Sequence, residues 1–204
     1  QFLDQPGEYY YDSEMKRLFL RLPEDRDPNR SRIELSTALD ILHIENQSHI
    51  EISALAFRFN GRRSGPFWED SHVIVATGNI ESLVIENCFF EYMGTDAIKV
   101  ATMANQRMGL IRIADCSFNW INGGTGIEIN GYTAGNNLSH TDSMGVLDRA
   151  EVLRNRATNM GLYRHDDHKW SNVQAISACF STELIMAGNI VDSSWGSGLV
   201  AQGG

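Results

Sequence analysis

The sequence predicts an all-β chain, a right-handed parallel β-helix (β-solenoid) of about five coils behind a short N-terminal strand region. Three observations lead there. Apolar and polar residues alternate with period two rather than 3.6, in segments rich in Val, Ile, Phe and Thr. Those segments recur at a spacing typical of solenoid repeats. Glycine-containing turns recur with them, at Gly94, Gly123–Gly126, Gly161 and Gly196–Gly198. Residues 1–40 read as the N-terminal strand region and 41–204 as the repeats.

The N-terminal region carries short strands at Glu8–Tyr11 and Arg17–Leu22, the second stopped by Pro23. A charged loop over Glu24–Arg30 follows, then a third strand is expected at Arg32–Leu35. The repeats begin near residue 41. Ile50–Phe57, Leu83–Phe90 and Ile111–Phe118 match closely, whereas Val152–Ala157 and Leu184–Val191 are weaker copies. Aligning Ala54, Asn87, Asp115, Asn155 and Asn189 gives spacings of 33, 28, 40 and 34 residues. Each unit reads as strand, polar residue, strand, Gly turn and third short strand. Asn and Asp suit the bend because they tolerate left-handed backbone, and stacked amides can bond from unit to unit. Unequal spacings fit loops inserted on one side while the strands keep register.

Composition narrows the function classes. The formal charge is −9 and the pI about 5.1, with no Lys/Arg cluster, which argues against nucleic acid and anionic membranes as partners. No apolar run reaches the roughly 18–20 residues of a membrane span. Cys88, Cys116 and Cys179 form neither a C-x-x-C pair nor a Cys/His cluster, so they read as buried free thiols acting as small hydrophobes. A start without Met and an end at Gly204 with no capping segment suggest an excerpt of a longer chain.

The segments Ile85–Phe90 with Gly94–Ile98, and Asp115–Phe118 with Gly124–Ile129, resemble the repeats of pectate-lyase-like and β-helical glycoside hydrolase proteins. Phe2–Asp12 and Arg17–Pro23 look like the stretch that precedes the coils in large bacterial carbohydrate-active β-helix proteins, with Tyr9 where Trp is usual. The resemblance implies a bacterial extracellular or periplasmic protein that acts on a complex polysaccharide. It specifies the scaffold better than the reaction.

Aligning the short strand after each Gly turn puts Ile98, Ile127, Leu162 and Leu199 inward. Lys99, Glu128, Tyr163 and Val200 then form an exposed row, with Ala101, Asn130, His165 and Gln202 two residues further along. Neighbours in a row stand about 4.8 Å apart and can touch one ligand. Inserts at 132–147 and 164–172 are expected to follow this strand and flank its face. The second contains Tyr163, Arg164, His165, Asp166, Asp167, His168 and Trp170.

Three chemistries compete for these residues. A hydrolase would pair Glu128 with Asp166 or Asp167 as acid and base or nucleophile. Lys99, Asn130, Tyr163, Arg164, His165, His168, Trp170 and Gln202 would hold the sugar. A uronate lyase would use Lys99 or Arg164 as base, with Ca2+ held by Asp residues; no cofactor is expected otherwise. His165, Asp166 and His168 could instead ligate a divalent ion, on loose spacing evidence. A non-catalytic carbohydrate-binding or adhesin-type β-helix is the remaining class. Blander readings stand beside these. The second insert also reads as a solvated loop, Lys99–Glu128 as a weak surface ion pair, and Asp96 as a turn cap. Trp68, Trp120, Trp170 and Trp195 suit sugar stacking or coil filling equally. His140, Asp142 and Asn136–Asn137 are further sugar-contact candidates. Hydrolysis is favoured over elimination on the resemblance of the N-terminal segment and on the available carboxylates, and the acidic balance adds a weak argument, because a polyuronate groove would gain from positive charge.

Overall fold

Period-two alternation can bury a strand's apolar face only against another layer, and this chain supplies the layers by stacking its repeats. The computed structural model describes residues 3–34, 36, 40–60, 72–94, 96–122, 125–131, 145–161 and 174–202. It has two compact units, Gln1–Leu35 and Ser36–Gly204.

The first unit holds an antiparallel hairpin of β1 (Tyr9–Asp12) and β2 (Arg17–Leu20), with Tyr9 opposite Leu20 and Asp12 opposite Arg17. Asp12 Oδ1 shapes the turn by accepting the backbone N–H of Glu14 and of Met15. The charged loop makes two 3-10 turns, Pro23–Asp25 and Pro28–Arg30. Arg32–Glu34 is not the expected strand. These residues are exposed and pair with no strand among the described residues, and alternation alone provides no edge to pair with.

The second unit begins with β3 (Leu42–Glu45), β4 (Ile50–Ser53), β5 (Ala56–Arg58), β6 (His72–Thr77), β7 (Ile80–Glu86) and β8 (Phe89–Met93). Next come β9 (Asp96–Ala101), β10 (Arg107–Ala114), β11 (Ser117–Ile121), β12 (Ile127–Asn130), β13 (Val146–Leu153) and β14 (Arg156–Met160). It closes with β15 (Gln174–Cys179), β16 (Ser181–Ala187), β17 (Ile190–Ser194) and β18 (Ser197–Gln202). Every third strand pairs in parallel. The sheets are β4-β7-β10-β13-β16, β5-β8-β11-β14-β17 and β3-β6-β9-β12-β15-β18. Three parallel sheets of stacked strands are compatible with a β-solenoid.

The inward positions of the sheets meet in one core. Phe57, Phe90 and Phe118 stack through it with centroids 5.0 and 4.9 Å apart. Cys88 and Cys116 are buried there as free thiols, as the composition led us to expect, and burial pushes the Cys116 thiol up to about 12. Cys179 is also free but only half-buried.

The first bend of each repeat departs from the sequence alignment. Its left-handed residue is Ala54, Asn87, Asp115, Arg154 and Gly188 in turn. In the last two repeats it therefore falls one position before the anchor Asn. Backbone pairing explains the offset, because Ala114 lies opposite Leu153 and Leu153 opposite Ala187. Asn155 and Asn189 instead follow the bend, in register with Cys116. There Asn155 Nδ2 donates to Asn189 Oδ1 at 3.0 Å, the amide ladder expected, at a different position. Asn155 also donates to Ile113 O and accepts from Cys116 N, at 2.9 and 3.0 Å.

Candidate functional site

The six-stranded sheet places chemistry on its outward face. Ile98, Ile127 and Ile176 stand in register and are fully buried, so the residue after each belongs to the opposite face. That row runs Val75, Lys99, Glu128, Ser177 and Val200. The adjacent row runs Thr77, Ala101, Asn130, Cys179 and Gln202.

Lys99, Glu128, Asn130 and Gln202 thus occupy the rows assigned to them. Tyr163 and His165 do not supply the fourth members; Ser177 and Cys179 do, and Ile176 replaces Leu162 inside. The reason lies in the second insert, which precedes the third strand of its repeat instead of following it, because β15 begins at Gln174. The first insert does follow its strand, between β12 and β13. Leu199 is in register with Ile176 but remains 47% exposed on the last strand of the sheet. Tyr163, Arg164, His165, Asp166, Asp167, His168 and Trp170 lie outside the described residues, as do Trp68, Asn136, Asn137, His140 and Asp142. Trp120 sits in β11, in a different sheet from Glu128, and Trp195 in the turn between β17 and β18.

Glu128 is the centre of what the rows bring together. Its Oε2 lies 3.5 Å from Lys99 Nζ, with both side chains about two-thirds buried or more. Below it, at the start of β9, Asp96 is opposite His72 of β6, and His72 Nε2 is 3.2 Å from Asp96 Oδ2. One ligand atom from each of His72, Asp96 and Glu128 lies within 4.8 Å of the others. His72 and Asp96 are both buried. Asp96 Oδ1 accepts the backbone N–H of Thr125 in the next repeat. The backbone N–H of His72 donates to Asp40 Oδ1 at 2.9 Å. Burial, with a smaller contribution from the Glu128 carboxylate, raises the Cys179 thiol above its ordinary value.

His72 was not singled out in the sequence. The signal that could have found it is the run Val73–Thr77, whose alternation matches Ala97–Ala101 and places His72 beside Asp96. A buried and a half-buried carboxylate, an imidazole and an ammonium can bind polar ligand groups, transfer protons or hold a cation. No helix among the described residues is long and apolar enough to cross a membrane. No family model, curated protein or solved structure matches the chain.

Proposed function

We propose that this chain is a right-handed parallel β-helix of the pectate-lyase-like kind. In this reading it belongs to a secreted bacterial protein, periplasmic or extracellular, that hydrolyses glycosidic bonds of a complex polysaccharide. The observation that carries the reading is the meeting of Glu128 and Asp96, whose oxygens approach within 4.8 Å where β9 and β12 run side by side. Two carboxyl groups about 5 Å apart suit a retaining mechanism, in which one protonates the leaving oxygen and the other attacks the anomeric carbon. Glu128, the more exposed of the two, takes the acid/base role, and Asp96 the nucleophile's. Lys99, Asn130 and Gln202, in the same and the adjacent row, would hold sugar hydroxyls. The polysaccharide is the only partner proposed.

The test is a screen of the chain on plant and algal polysaccharides, with Glu128→Gln beside it. Glu128→Gln should lower kcat by at least about 100-fold while the fold is kept, as loss of a general acid does. NMR of the first product should show retained anomeric configuration. Inverted product, or full activity in Glu128→Gln, overturns the reading. A second reading, uronate elimination, takes Lys99, on the same outward row as Glu128, as the group that removes the C5 proton. It would be recognised by an unsaturated product that Lys99→Gln no longer forms.

A further inference from the structure

We propose that His72, Asp96 and Glu128 bind a divalent first-row transition-metal ion, with Zn2+ the best fit. The inference starts from His72. Its side chain is only 7% exposed, yet Nε2 has no hydrogen-bond partner among the described residues. A buried polar atom without a partner costs free energy, so it calls for an explanation. Asp96 Oδ2 lies 3.2 Å away, but the atoms are not aligned as an N–H···O bond. Two ligands on a tetrahedral zinc with bonds of about 2.0–2.1 Å stand about 3.3 Å apart, which is the spacing seen here. Glu128 contributes the third ligand atom within 4.8 Å and reaches the ion by a rotamer adjustment of its longer side chain.

The surroundings match a metal site. Asp96 Oδ1 is held by the Thr125 N–H, leaving Oδ2 free to ligate, and the backbone beside His72 is tied to Asp40. Such outer bonds orient ligands before the ion arrives. Three protein ligands leave a fourth position open. One imidazole nitrogen with two carboxylates favours zinc and its neighbours over Ca2+ or Mg2+, which take nearly all-oxygen shells. Lys99 is the opposing charge, 3.5 Å from Glu128, and must swing away when the ion binds.

The inference does not rest on the carbohydrate reading, although an ion seated here would occupy both proposed hydrolytic carboxylates and so inhibit that reaction. The deciding experiment needs no substrate. Zn2+ is titrated calorimetrically into the metal-stripped chain, and Co2+ is added in parallel to read its visible absorption. One ion per chain is expected, with a tetrahedral Co2+ spectrum. Glu128→Gln and His72→Gln should each weaken binding at least about 10-fold, and Lys99→Gln should strengthen it. Glu128 is on the half-buried outward row, so its variant carries the test if His72→Gln does not fold. Absence of binding, or unchanged affinity in Glu128→Gln, overturns the proposal; unchanged affinity would place the ion on other residues, such as His165 and His168.

Discussion

Asn155 shows how one side chain can join three repeats. It is 1% exposed, accepts from Cys116 N, and donates both to Ile113 O and to Asn189 Oδ1. Asn155→Ala would leave a buried N–H and a buried C=O without partners. A loss of about 2–3 kcal/mol in urea unfolding is expected, and a loss under about 0.5 would mean that water replaces the amide. One position earlier, Arg154 grips Asp115 with two bonds of 2.7 and 2.6 Å. The Arg154 hydrogen bond is the main reason the Asp115 carboxyl is held below its ordinary value. A depressed carboxyl stabilises the fold above its unfolded value and loses that contribution as pH falls through the folded one. The stability gap between the parent chain and Asp115→Asn should therefore be constant from pH 7 to about 5 and close below about pH 4. Urea midpoints across that range would show it, and a gap unchanged at pH 2.5 would refute it.

Strand β10 leaves little room for change at one of its residues. It pairs with β7 on one side and β13 on the other. A Cβ on its Gly109 would press on the backbone carbonyl oxygen of Glu81 in β7. Backbone cannot swing aside as a side chain can, so Gly109→Ala should cost about 1–3 kcal/mol. Gly198 in β18 is the natural control, because its added Cβ would meet Val191 at an ordinary 3.6 Å. Gly198→Ala should leave the melting temperature nearly unchanged. If the two variants melt alike, close packing of β7 and β10 is not what requires Gly109.

Across the second unit, stability comes from nearest-neighbour stacking, as in repeat proteins generally. Phe90 lies between Phe57 and Phe118 and is fully buried. Phe90→Ala removes both stacked contacts and leaves a cavity that rigid flanking sheets close poorly. A loss of about 3–5 kcal/mol is expected by chemical denaturation. A loss near 1 kcal/mol would show that the repeats collapse around the gap.

Strand alternation, the recurrence of Ile85–Phe90 in Ile111–Phe118 and the outward setting of Lys99 and Glu128 are local properties, legible in the chain itself. Each depends on the period-two geometry of one strand or on near-identical spacing between two. The position of the second insert, the one-residue offset at Arg154 and Gly188, and the absence of a strand at Arg32–Glu34 are not local. Each depends on which backbone edge finds a partner, and several registers satisfy the same apolar pattern. The juxtaposition of His72 with Asp96 and Glu128 is of that second kind. The three residues are separated by 24 and 32 positions along the chain. Residue types alone did not bring them together; parallel pairing of β6, β9 and β12 did, because hydrogen-bond register sets which side chains become neighbours across repeats.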